Sequence, residues 1–81
     1  MNISSIKRYI YDVNYELLDC FGMQIHEVNN LEQNKNETNE EYEKRLKDIL
    51  IDGLERVIFY YELEGAKSSW AIEILKEINS D

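Results

Sequence analysis

Two apolar stripes on the first helix-forming stretch constrain the fold of this chain more than any other feature. Ile3, Ile6, Ile10, Val13, Leu17 and Cys20 recur at alternating spacings of three and four, the pattern of a helical seam. Tyr11, Tyr15 and Leu18 form a second stripe at i, i+4, i+7 on a different side of the same helix. One stripe is enough to build a core. The other needs a further surface to lie against, which argues for a contact face.

A chain of 81 residues predicts a single domain covering 1–81. It contains no proline and only three glycines, Gly22, Gly53 and Gly65, so few breakers interrupt long helices. The first helix is expected from about Ser4 to Phe21, capped by Asn2, Ser4 or Ser5 and closed by Gly22 in a left-handed conformation. Met23 to Val28 fits either a short strand or an extended connection. Residues 29–39 form a polar, asparagine-rich loop with Leu31 as its one apolar residue, expected to be mobile in its middle.

Thr38-Asn39-Glu40-Glu41 is a capping box, threonine at the N-cap and glutamate three residues on, and a long second helix starts there. Glu40→Lys44, Glu41→Arg45 and Glu43→Lys47 are i, i+4 pairs in the favourable order. Its core face reads Tyr42, Leu46, Ile49, Leu50, Gly53, Leu54, Val57, Ile58 and Tyr61, with Gly53 marking a close crossing or a bend. Residues 55–63 carry strand-like composition, and Val57, Phe59, Tyr61 and Leu63 alternate. The helical face continues through them without a shift, so the helix is the primary reading. A third helix begins near Ser68 or Ser69, with Trp70, Ala71, Ile74, Leu75 and Ile78 as its apolar stripe. The expected fold is all-α, a small three-helix bundle with a long second helix, its helices antiparallel and its core closed by Trp70, Ile74 and Ile78. The alternative is α+β, with a short two-stranded sheet from 23–28 and 55–63.

The formal net charge is −8, from 17 acids and 9 bases. Binding nucleic acid requires neutralising phosphates with Lys and Arg, and an anionic membrane surface selects the same residues, so neither is an expected partner. A basic protein is the expected partner instead, its encounter steered by charge and sensitive to salt. Solubility is the plainer explanation of the acidity. Lys7 and Arg8 interrupt the first apolar residues, so the N-terminus does not read as a secretory leader. With a single cysteine no internal disulfide forms, and Cys20, on the seam, is expected to be a buried thiol. A cytoplasmic location is the resulting expectation, and the Asn2-Ile3-Ser4 and Asn36-Glu37-Thr38 glycosylation patterns then carry no meaning.

No constellation for chemistry emerges. A structural zinc site needs four ligands, mostly Cys and His, and the chain has one of each. Cys20 and His26 make a poor nucleophile–base pair, because a thiol on a buried seam is inert. His26 reads as a loop or strand-edge residue. The carboxylates Asp48, Asp52 and Glu55 share one side of the second helix, and Asp12, Glu16 and Asp19 one side of the first. A helix face alone leaves most of a cation's oxygen shell unfilled, so a solvated acidic face is the simpler account. Gly65-Ala66-Lys67-Ser68 lacks the first glycine and the spacing of a phosphate loop and reads as a helix cap. No catalytic, cofactor or metal role is expected of any residue.

The tyrosines are the stronger signal, because tyrosine offers apolar area and a polar tip at low entropic cost. Most of the six are adequately explained as rimming a core, but Tyr11 and Tyr15 lie across the helix from the seam, flanked by acids. Residues 38–64 hold eight acids against four bases, so half of the net charge sits on the second helix. The residues expected to meet a partner are Tyr11, Asp12, Tyr15, Glu16, Asp19, Glu41, Asp48, Asp52 and Glu55. The expected function is that of a non-enzymatic acidic protein that docks on and inhibits a basic, nucleic-acid-handling protein. Small acidic helical proteins of this type include phage inhibitors of host restriction or CRISPR machinery, antitoxins and immunity proteins. This is a likeness of type, not of family. The alternative is a homodimeric structural or adaptor module joined through the Tyr11/Tyr15/Leu18 face.

Overall fold

A computed structural model describes residues 1–80, which form three helices: α1 (Ile3–Phe21), α2 (Asn39–Leu63) and α3 (Ser69–Ser80). A single 3-10 turn, His26–Asn29, lies between α1 and α2, and no strand occurs among the described residues. The all-α reading holds. The two-stranded alternative does not, because 55–63 continues the buried face of α2 and 23–28 is an extended connection entering the 3-10 turn.

The helix ends follow their local chemistry. Asn2 caps α1 by accepting from the Ser5 amide at 2.8 Å. Gly22 ends it at φ 65°, a left-handed conformation that suits glycine, with the Gly22 and Met23 amides closing on the Leu18 and Leu17 carbonyls. The capping box at α2 is complete: Thr38 Oγ1 accepts from the Glu41 amide, and the Glu41 carboxylate accepts from the Thr38 amide. Glu41 is committed there, and Arg45 turns to Glu37 while Lys44 pairs with Asp48, so the expected Glu41→Arg45 pair does not form; Glu43–Lys47 does.

Helices α1 and α2 are parallel, not antiparallel. Val13 lies against Gly53, Glu16 and Cys20 reach Tyr61, and Phe21 packs on Tyr60 and Tyr61, so residue numbers climb together along both helices. Short turns force antiparallel neighbours, but residues 22–38 are long enough to travel back along the pair before α2 starts. This return segment lies alongside α2 with its own direction reversed: Ile25 is beside Gly53, and Asn30 is bonded to Arg45. Ile25, Val28 and Leu31 are buried beneath it.

The core consists of Ile6, Ile10, Val13 and Leu17 of α1, those three residues of the return segment, Tyr42 through Val57 at helical spacing on α2, and Ala71 and Ile78 of α3. α3 doubles back against α2 after a turn at Gly65, whose φ is 75°. Trp70 does not close the core. It is exposed, and the small Ala71 occupies the buried position beside it. Cys20 is likewise not buried: the buried seam ends at Leu17, and in the last turn of α1 it is Phe21 that packs on the core while Cys20 stays exposed beside the Tyr61 hydroxyl. The Cα envelope measures 43 × 27 × 15 Å, with α2 central and packed by both other helices.

Candidate functional site

Return-segment fixation defines the first surface. Asn14 of α1 accepts from the Ile25 amide at 2.7 Å, and the buried Tyr42 hydroxyl donates to the Leu31 carbonyl. Arg45 does most of the fastening. Its guanidinium donates to Glu37 through two nitrogens and to the Asn30 and Glu32 carbonyls, and it lies 5.3 Å over the Tyr42 ring. The 29–39 loop is therefore tied at Leu31, Glu32 and Glu37.

The 3-10 turn packs on α1 and the segment is tied to α2 at Tyr42 and Arg45, leaving a groove of about 770 Å³ between the segment and α2. α2 contributes Glu41, Lys44, Arg45, Asp48, Ile49 and Asp52, and the return segment contributes His26, Glu27 and Asn30. Four carboxylates meet two cations there, and both cations are engaged: Lys44 holds Asp48 at 3.2 Å and Arg45 holds Glu37 at 2.8 Å. Ile49, mostly buried, is the apolar residue of this lining. A smaller depression of about 440 Å³ adjoins it at Asp52, lined also by Met23, Glu55, Arg56, Phe59 and Tyr60.

The expected site residues thus fall on separate surfaces. Glu41, Asp48 and Asp52 gather around the groove, and Glu55 borders the neighbouring depression. Tyr11, Tyr15 and Leu18 stand on the outer face of α1, at 52 %, 68 % and 52 % exposure, with Asp12 and Asp19 exposed near them. Glu16 leaves that set. It is partly covered and turns toward α2, where its carboxylate accepts from the Tyr61 hydroxyl and, at 3.4 Å, from the Cys20 thiol. That hydrogen bond to Glu16, with Cys20 beside it, pushes the Tyr61 hydroxyl well above the ordinary tyrosine range.

Sequence reasoning missed the far wall of the groove, His26, Glu27 and Asn30, and the exposed Phe59 and Leu63 on α2. The wall carried one usable signal, the three-residue spacing of Ile25, Val28 and Leu31, which fastens the segment to the core. Among the described residues no group of three His, Cys, Asp or Glu side chains could hold a metal ion, and no helix is long and apolar enough to cross a membrane. No family model, no curated protein and no solved structure matches this chain.

Proposed function

We propose that this chain is a non-enzymatic binding protein that docks on a basic, nucleic-acid-handling protein and blocks it, using the acid-rimmed groove between α2 and the return segment. One observation carries the reading: Glu27, Glu41, Asp48 and Asp52 converge on a single concavity in a chain of net charge −8. Carboxylates spaced along a helix present negative charge to the Lys and Arg residues that normally neutralise phosphates. In this reading the chain is of the phage anti-defence, antitoxin or immunity type and works in the cytoplasm. The test is capture from a bacterial lysate by the tagged protein at low and high salt, with bound proteins identified by mass. A basic nucleic-acid enzyme retained at low salt, released at high salt and lost with Asp48→Lys/Asp52→Lys is the expected result. Retention undiminished by the double substitution removes the groove from the interface.

The exposure of Tyr11, Tyr15 and Leu18 favours a second reading, a homodimer joined through the outer face of α1. Tyr11→Ala/Tyr15→Ala then halves the mass measured by light scattering, and an unchanged mass rejects the dimer.

A further inference from the structure

The groove and the smaller depression lie end to end, sharing Asp52, and together differ in character along their length. One end is acidic, with Glu27, Glu41 and Asp48. The other sets Met23, Phe59 and Tyr60 among the charged Asp52, Glu55 and Arg56. Both walls follow one line, because the return segment runs beside α2 from Met23 at Tyr60 to Asn30 at Arg45. The depression is therefore long rather than round. From Glu41 to Tyr60 α2 rises roughly 28 Å at 1.5 Å per residue, a span that about eight or nine residues of extended chain cover.

We propose that this track takes an extended segment of a basic protein, with Lys or Arg side chains over Asp48 and Asp52 and a large apolar side chain over Met23 and Phe59. The inference rests on the proposed function and names the form in which the partner engages. Charge complementarity selects the occupant. Along the whole track five carboxylates, Glu27, Glu41, Asp48, Asp52 and Glu55, exceed three cations, Lys44, Arg45 and Arg56, and Arg45 is spent on Glu37 and two carbonyls. Lys44–Asp48 and Arg56–Asp52 are exposed i, i+4 pairs, which hold weakly and yield to an incoming bidentate arginine. Met23 and Phe59 add register, since a side chain buried against them fixes where the cations fall.

The test uses fluorescein-labelled synthetic peptides of about eight residues, long enough for the track, read by anisotropy against the whole protein. One carries alternating arginines and a terminal phenylalanine, in both chain orders. A second has glutamate for arginine, and a third has alanine for phenylalanine. The basic peptide is expected to bind, and Asp48→Lys/Asp52→Lys to weaken it by about tenfold or more. Glu73→Lys/Glu77→Lys on α3, with the same change in net charge, is expected to leave binding nearly unchanged. Phe59→Ala weakens the phenylalanine peptide and not its alanine counterpart, while circular dichroism melts confirm that each variant folds. Equal weakening by the α2 and α3 pairs overturns the proposal, because it shows diffuse attraction to an acidic surface. So does a basic enzyme captured from lysate through Asp48 and Asp52 when no peptide binds; that result leaves the proposed function standing and shows docking on a folded surface. If neither enzyme nor peptide binds, both readings fall.

Discussion

Arg45 holds Glu37 through two bonds, Nε to Oε2 at 2.8 Å and Nη2 to Oε1 at 3.0 Å, with the Glu37 side chain only 11 % exposed. The pair joins the second turn of α2 to the end of the return segment, and the same guanidinium reaches two carbonyls further back. It therefore sets the position of one groove wall relative to the other.

This pair makes stability depend on pH. The Arg45 guanidinium, followed by the Asn34 amide, holds the Glu37 carboxyl below its ordinary value of 4.5 against the opposing effect of desolvation. Because the folded value lies below the unfolded one, the stabilisation is complete above about 4.5 and is lost as pH falls through the lowered value. Glu37→Gln should lower the thermal midpoint by several degrees at pH 7, with the gap to the parent narrowing steadily on acidification below 4.5. A gap constant from pH 7 to pH 3 would show that the carboxylate charge contributes nothing.

Gly53 is needed for the close packing of α1, α2 and the return segment. A Cβ there would stand 2.8 Å from Val13 Cγ1 and 2.9 Å from Ile25 Cδ1. Alanine at a helix interior gains about 1 kcal/mol over glycine, whereas overpacking a tight core costs about 1–3 kcal/mol. Val13 is β-branched and gives way poorly, so Gly53→Ala is expected to lose about 1 kcal/mol net. The double variant with Val13→Ala should lose less than the two single losses combined, measured by urea unfolding, because the shortened side chain admits the new methyl. Strict additivity would show that the two sites do not touch.

How far the sequence reaches is clearest in α2. The Thr38–Glu41 box, the unbroken spacing from Tyr42 to Tyr61 and the glycine within it mark start, face and crossing point, and that continuity outweighs the strand-like composition of 57–61. The direction of α1 relative to α2 was not legible. Periodicity tells which side of a helix is buried, not whether its neighbour runs with or against it. That choice rests on whether residues 22–38 turn or return, and the burial of Ile25, Val28 and Leu31 makes them return. At α3 the N-terminal position of Ser68 was legible, but its hydroxyl is buried and bonds to no described residue, so it is not the cap it resembles. Of the candidate site, the acids of α2 were readable from their spacing. The polar wall opposite them has no period, and only the path of the chain brings it there.

Cys20, exposed at the end of α1, reports on the contact between Glu16 and Tyr61. The Tyr61 hydroxyl, 3.7 Å from the thiol, pulls its pKa down. Desolvation, the hydrogen bond to Glu16 and the charges of Glu16 and Asp19 push it up and together prevail, leaving it above its ordinary value of 9.0. Less thiolate is present at a given pH than in a free cysteine, so thiol–disulfide exchange is slow despite exposure. Glu16→Gln removes a charge and a partner that favour the protonated thiol, so the rate at pH 8 should rise and the pH–rate curve move to lower pH. Tyr61→Phe removes the one group that favours the thiolate, so the rate should fall and the curve move to higher pH. The measurement is the rate of reaction with dithiobis-nitrobenzoate as a function of pH. Shifts of the same sign in both variants would mean that accessibility rather than charge controls this thiol.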